Sequence, residues 1–501
     1  MTQTAEAKSE RGGDGPELLT SHDPRTGEVV GRHPVHSADD VAAAVRRARD
    51  ASTHWAALDF DGRRARLDRW RKLLSRRADE LCALISAETG KSADDARLEV
   101  AMVLDHLHWA AKHARKTLGR RRVATGPVMH NHAATLEYRP FGVVGVIGPW
   151  NYPAFTPMGS LSYALAAGNA VVFKPSEHTP GVGRFLADTF AEAVPEQHVL
   201  QVVTGYGPTG AALCGAGVDK LAFTGSTATG RRVMAECART LTPVLVECGG
   251  KDALIVAEDA DLEAAARGAV WGGLFNAGQS CAGVERVYVA EAVADAFVEL
   301  VTRKAATLRP GGSPDADFGP ITMPKQVDVI AAHVADALDR GATAAVGGRE
   351  SIRPPYVEPV VLLDVPEDAA AVTEETFGPT LVVNRVADAD EAVRRANALR
   401  YGLGAAVYSK ARGEELAARL RCGVVSINSV LAFASVPALP FGGVGDSGFG
   451  RIHGEDGLRE FTYAHAVSRQ RFAGALDPMT YERGNRTVRR VLRLVRVLRG
   501  R

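Results

Sequence analysis

From about Ser37 to Leu118 the apolar residues recur three and four positions apart, the spacing of helices that bury one face. "SADDVAAAVRRARDASTHW" opens with Ser37 as an N-cap and Asp39 and Asp40 in the first turn. "RARLDRWRKLLSRRADELCALISAETG" keeps the helical spacing and stops at Gly90. After Tyr138 the pattern changes to short apolar runs: "GVVGVIG", "NAVVFKPS", "HVLQVVTG", "KLAFTG" and "PVLVECGG". Helical stretches separate them, at Pro153–Ala167, "GRFLADTFAEAV", 207–215 and "TATGRRVMAECA". Buried strands alternating with helices require crossover connections and predict a parallel, doubly wound sheet. Such sheets bind ligands beyond the carboxyl ends of their strands. A second α/β region runs from about Lys251 to Val436, with the strand "DALIVAE", a long helical stretch over 260–277, and "RVYVAEAVADAFVELVTRKAATL" before the Gly/Pro-rich "RPGGSPDADFGP".

Composition narrows this picture without redirecting it. The 501 residues are 46% hydrophobic and 24% charged, enough for two or three domains with sizeable cores. A net charge of +1 gives no global attraction for nucleic acid, and none is expected as a partner. Residues 1–16 are polar and charged, read as a disordered arm rather than a signal peptide. No uncharged apolar run reaches the length of a membrane span, so a cytoplasmic protein is expected. The six cysteines contain no CxxC, and neither they nor the scattered histidines have metal-site spacing; no metal is expected.

Several short runs could carry chemistry. "FTGSTATG" joins a strand end to a helix start, where free N–H groups can meet a phosphate or simply be capped. Its spacing is not GxGxxG. Lys174 and Glu177 follow a strand, suited to ribose hydroxyls or to a solvated turn. Glu247 ends an apolar strand, where desolvation would raise its pKa toward that of a general base. Asn151, between prolines, is either an amide donor to an oxyanion or a turn residue. Cys281 lies in "LFNAGQSCAG" with no histidine within twenty residues; read alone it is a small buried hydrophobe or a nucleophile without its usual partner.

Their joint order is specific. From about Ser21 to Phe472 the chain resembles the aldehyde dehydrogenase superfamily, through "PFGVVGVIGPWNYP", "LAAGNAVVFKPSEHTP", "FTGSTATG", "VECGGKD", "FNAGQSCAG", "EETFGP", "SINS" and "PFGGVGDSGFGRIHG". The resemblance implies two doubly wound parallel-sheet domains and a small β oligomerisation arm. The implied division is an NAD(P)-binding domain at 17–121 and 142–248, a catalytic domain at 249–454, an oligomerisation segment at 122–141 and 455–475, and a basic tail at 476–501. It implies oxidation of a small-molecule aldehyde to a carboxylate with NAD, NADP also being accepted, in a homodimer or homotetramer. Cys281 would be the nucleophile, Glu247 the general base, and Asn151 with the Cys281 N–H the oxyanion hole. Lys174 and Glu177 would hold the adenosine ribose, Trp150 and Ser226 the pyrophosphate, and Glu375 and Phe377 the nicotinamide ribose. Ile147, Pro149, Ser176, Gly225 and Gly249 complete the cofactor set. Trp109, Tyr152, Phe155, Ser280, Ala282 and Phe433 are expected to line the aldehyde tunnel.

Departures from the pattern stand at Cys248, where leucine is usual, at Asp252, and at Ile452, where many members carry a glutamate of a proton relay. "HGEDGLREF" is closer to branches acting on fatty, aromatic or semialdehyde substrates. A CoA-acylating enzyme and an inactive binding or structural member are the alternatives, and retention of Glu247 and Cys281 speaks against each. A cysteine hydrolase lacks its histidine. The last 21 residues carry eight arginines and no lysine. Residues 486–501 form a basic amphipathic helix that can lie on an anionic membrane surface or pack on its own or a neighbouring subunit.

Overall fold

The computed structural model describes residues 17–126, 128–313, 315–474 and 479–500; the arm predicted over 1–16 lies outside them. A hairpin, Leu18–His22 with Val29–Pro34, precedes four helices at Ala38–Ala57, Phe60–Arg76, Ala78–Thr89 and Ala93–Leu118. Their ends follow local chemistry. Ser37 and Asp40 form a reciprocal capping box, and Gly90 closes the third helix at φ 74°. A side chain at Gly90 would meet the Pro320 ring 2.5 Å away, so the position needs glycine twice over.

The first sheet has the order Gly448–Phe449, Val244–Cys248, Lys220–Gly225, Val143–Ile147, Ala170–Lys174, Leu200–Val202. Every pairing is parallel except that of Gly448–Phe449 with Val244–Cys248. The strand order reverses at Val143–Ile147, which lies between Ala170–Lys174 and Lys220–Gly225. Connections leave the sheet in opposite directions there and a crevice opens past the strand ends. The second sheet runs Thr343–Val346, Val360–Leu363, Thr380–Val386, Val284–Ala290, Asp252–Val256, Gly404–Tyr408, Val424–Ile427, antiparallel only at its first pair. Both doubly wound parallel sheets expected from sequence are thus present, each with one antiparallel edge. A separate three-stranded sheet pairs Thr462–Gln470 with His132–Pro140 and the latter with Arg121–Val123.

The helices over 38–118 and the first sheet share one core, which also takes in Phe441, Ile452, Leu458 and Phe461 from beyond the second sheet. The chain therefore returns to the first sheet after Val436, which places both sheets around one crevice.

The helical stretch expected over 260–277 ends earlier, at Leu274. Asn276, Ala277 and Gly278 follow at φ 50°, 55° and 69°. Left-handed backbone is unfavourable for alanine and asparagine by about 1–2 kcal/mol each. Asn276 offsets part of this by donating from Nδ2 to the Asn151 carbonyl at 3.3 Å and the Gln279 carbonyl at 3.2 Å. A side chain at Gly278 would meet the Gly378 carbonyl oxygen at 2.0 Å. This turn carries Cys281 into the crevice.

Candidate active site

Cys281, Glu247 and Asn151 converge from three elements: the left-handed turn, the end of the strand Val244–Cys248, and the loop after Val143–Ile147. The Cys281 thiol donates toward Glu247 Oε1 at 3.9 Å, and Glu247 Oε2 accepts from Thr224 Oγ1 at 3.1 Å. Glu247 is 3% exposed, and burial pushes its pKa up to about 7. The thiol of half-buried Cys281 is held well above its ordinary value, by burial first and then by the charges of Glu247, Glu375 and Asp252. At rest the sulfur is a protonated thiol.

Asn151 is buried and donates from Nδ2 to the Gln279 carbonyl at 3.1 Å. Its own backbone carbonyl accepts from Lys91 Nζ at 2.9 Å. Lys91 and Glu99 form an ion pair with side chains wholly out of solvent, 2.5 Å apart. The second Glu99 oxygen accepts from the Ala154 and Phe155 N–H groups at 2.8 and 3.0 Å, at the start of the helix Phe155–Ala167. A carboxylate there satisfies orphan donors and complements the helix dipole. Lys91 and Glu99 thus fix the Asn151 loop; read in sequence they are two ordinary charges of a helical region.

All eleven residues expected to bind a cofactor line one cavity of about 970 Å³ past the strand ends of the first sheet: Ile147, Pro149, Trp150, Lys174, Ser176, Glu177, Gly225, Ser226, Gly249, Glu375 and Phe377. Asn151 and Cys281 line its inner end. Ser226 caps the helix Thr227–Ala238 by accepting from the Thr229 N–H. Lys174 Nζ donates to the Pro175 carbonyl at 3.1 Å and stands 3.7 Å from Glu177. Glu375 accepts from the Gly250 N–H at 3.2 Å, and a Cβ on Gly249 would fall 1.8 Å from its carboxylate. Burial, then the charge of Glu285, pushes Glu375 up to about 8. Glu285 pairs with buried Lys251 and accepts from the Thr376 and Phe377 N–H groups at 2.8 and 3.0 Å, which holds Phe377 at φ 52°. This second buried pair was also not legible as part of the site.

Cys281 also lines a narrower cavity of about 80 Å³, with Glu247, Tyr152, Phe155, Ser280 and Ala282. Two expected lining residues are elsewhere. Trp109 stacks on His113 and Tyr163, at centroid distances of 4.4 and 6.0 Å. It lies seven residues beyond Met102 on the same helix face, about 10 Å too far along the axis. Phe433 does not reach the lining; its ring packs behind Phe441, 6.0 Å away, and against Gly404. Leu98, Met102, Trp271, Phe275, Leu431 and Phe441 line it instead. Among the described lining residues there is no lysine or arginine, whereas Asp95, Glu99 and Glu247 are acids. His453 also lines it, at φ 63°, its ring tilted against that of His106 with centroids 4.0 Å apart. Burial pushes His106 down to about 4 and His453 well below its ordinary value, so both are neutral.

The departures resolve structurally. Cys248 is 2% exposed, packs toward Gly230, and burial pushes its thiol up to about 12. Ile452 exchanges backbone hydrogen bonds with Phe441 and lends its side chain to the narrow cavity, where a carboxylate would face apolar groups. Buried Asp252 has Oδ2 without a hydrogen-bond partner and burial raises its pKa well above the usual range.

The comparisons agree with one another. The family model described as "Aldehyde dehydrogenase family" matches residues 12–467. A Methylomonas sp. protein named "4,4'-diapolycopene aldehyde oxidase" is 40% identical over 444 residues, 88% of this chain and 83% of the relative. A Mycolicibacterium smegmatis protein named "Putative succinate-semialdehyde dehydrogenase (NADP+)" is 38% identical over 461 residues, 90% of this chain and 89% of the relative. The crystal structure of lactaldehyde dehydrogenase from Escherichia coli superposes with a TM-score of 0.87 at 31% identity, covering 91% of this chain and 96% of that one.

Proposed function

The chain belongs to the aldehyde dehydrogenase family, an oxidoreductase family acting on aldehydes, and from that premise we propose that it oxidises an apolar aldehyde to the carboxylic acid with NAD(P)+. The observation that carries the reading is the placement of the Cys281 thiol, 3.9 Å from the Glu247 carboxylate, where a large cavity meets a narrow apolar one. The large cavity suits a dinucleotide: it lies at the switch point, ends on a capped helix N-terminus, and has a glycine where any Cβ would strike Glu375. NAD(P)+ when bound supplies the hydride acceptor. Lys174 and Glu177 would hold its adenosine ribose, Trp150 and Ser226 the pyrophosphate, and Glu375 and Phe377 the nicotinamide ribose, with Ile147, Pro149, Ser176, Gly225 and Gly249 shaping the walls. The Glu177 carboxylate repels a 2′-phosphate, which favours NAD over NADP.

In the proposed sequence Glu247 accepts the thiol proton as Cys281 Sγ bonds to the aldehyde carbon. The resulting oxyanion is held by the second Asn151 Nδ2 proton and the Cys281 N–H, donors worth roughly 3 kcal/mol each in such sites. Oxidation of the adduct leaves an acyl thioester on Cys281. Glu247, having passed its proton to solvent, takes a proton from water; the hydroxide displaces sulfur and the acid departs. Taking the thiol proton is a step that a CoA-acylating route would share; activating water is needed for hydrolysis alone, and a buried base beside the thioester favours that outcome. The apolar lining without a cation favours a neutral hydrocarbon aldehyde over one with a terminal carboxylate. The three-stranded sheet, whose strand Thr462–Gln470 is largely exposed, is the proposed contact for a dimer or tetramer, with 122–141 and 455–475 as the arm. The test is incubation with a medium-chain aldehyde and NAD+, with NADH absorbance and intact mass read together. Cys281→Ala should abolish both turnover and adduct, and Glu247→Gln should form the acyl adduct slowly and then retain it on Cys281. Turnover by Cys281→Ala would refute the assignment.

A further inference from the structure

The helix Thr487–Arg499 buries none of its residues. Val488, Leu492, Val497 and Leu498 are 50%, 49%, 63% and 48% exposed, an amount of apolar surface that a single helix rarely leaves in water. At 100° per residue Val488, Val491, Leu492, Leu494, Val495 and Leu498 share one arc, while Arg489, Arg490, Arg493 and Arg496 occupy the opposite one; Val497 falls on the arginine arc, and Arg499, in the last turn, on the apolar one. The helix contains no acidic residue to offset them. Thirteen residues rise about 20 Å, short of the roughly 30 Å hydrocarbon layer of a bilayer. No helix among the described residues is long and apolar enough to cross a membrane.

We propose that Thr487–Arg499 docks flat on an anionic lipid bilayer, its valine–leucine arc in the headgroup–acyl boundary and its arginines on lipid phosphates. Charge complementarity selects this occupant. A nucleic acid would take the arginines but leave the apolar arc in water. A second copy of the helix could cover that arc but would leave both outward-facing arginine rows without an anionic partner. A bilayer satisfies both faces at once. Docking would also bring the protein to a phase in which hydrophobic aldehydes dissolve. That consequence rests on the proposed function; the docking itself does not.

The experiment is flotation of the full chain with vesicles of phosphatidylcholine alone and of phosphatidylcholine mixed with phosphatidylglycerol. Binding is expected only to the anionic vesicles and should fall with added salt. Arg489→Gln with Arg493→Gln should weaken it about 30-fold, from about 1 kcal/mol per arginine near such a surface. Leu492→Asp with Val495→Asp should weaken it further, and deletion of 479–501 should abolish it. Turnover of a water-soluble short aldehyde should survive every variant; its absence in the unaltered chain would count against the functional reading alone. Two results would overturn the docking proposal: no flotation with anionic vesicles, or flotation that survives the deletion. Binding of duplex DNA with the same arginine dependence and no vesicle binding would replace the bilayer by a nucleic acid.

Discussion

Glu247→Gln should inactivate the enzyme and, at alkaline pH, stabilise the fold. Glutamine keeps the shape and can accept from Thr224 Oγ1 as the carboxylate does at 3.1 Å. What it removes is a carboxylate that burial raises from an ordinary 4.5 to about 7. The folded protein therefore holds that proton more tightly than the unfolded chain. Below pH 4.5 both states are protonated and the site costs nothing electrostatic. Between pH 4.5 and 7 the unfolded chain ionises freely while the folded one keeps its proton on the desolvated group, so stability is lost through that window until the folded group ionises as well. A gap of about 2.5 on the pH scale, at about 1.4 kcal/mol each, makes the full loss about 3.5 kcal/mol, complete above pH 7. Glu247 is 3% exposed, so solvent screening reduces this little. Thermal melts of both proteins from pH 5 to pH 8 test it. The variant should gain on the wild type with increasing pH and level off above pH 7, while other buried acids titrate in both and cancel to first order. Activity moves the opposite way: deacylation by the wild type should climb as Glu247 ionises and level off above pH 7. In the variant it should fall by about 10²–10⁴. A melting difference that does not change with pH would refute the burial account, whatever the activity.

Three further outcomes follow from the same geometry. Gly249→Ala places a methyl 1.8 Å from the Glu375 carboxylate and should raise KM for NAD+ at least about tenfold, read by initial rates, with the melting temperature little changed if Glu375 swings aside. Met102→Arg puts a cation into a cavity that has none among its described lining residues and should shift the kcat/KM ratio toward a carboxylate-bearing semialdehyde by about tenfold or more over a neutral aldehyde of equal length. Cys248→Ala should leave kcat intact and lower stability by about 1 kcal/mol in denaturant unfolding, since the thiol is buried filler pushed to about 12; loss of turnover would give this sulfur a chemical role.

Sequence pattern reports which face of an element is apolar and what closes its ends, but not how far along its axis a neighbour lies. That is why the strands, the Ser37 and Gly90 caps and the residues of both cavities' shared corner were legible, while Trp109 was placed in the narrow cavity when Leu98 and Met102, on the same face and about two to three turns nearer, occupy it. Ion pairs were illegible for a related reason. Lys91 with Glu99, and Lys251 with Glu285, become meaningful only when burial removes them from water and leaves their remaining hydrogen-bond capacity for the loops bearing Asn151 and Phe377. The break at Asn276–Gly278 was hidden because left-handed alanine has no propensity signal; it is held by the Asn276 side chain and by the close approach of Gly378.

The same reasoning accounts for the missing histidine. A cysteine nucleophile needs a proton acceptor matched to neutral pH, the role an imidazole with an ordinary pKa near 6.5 fills elsewhere. Here desolvation carries a carboxylate to about 7, and the thiol it faces is raised as well, so neither is charged at rest without cost. A solvent-exposed glutamate at this position would be too weak a base. An imidazole would form a standing thiolate–imidazolium pair. In the proposed mechanism a buried glutamate instead leaves the sulfur a thiol until a carbonyl carbon is in reach, which would protect it from oxidation between turnovers.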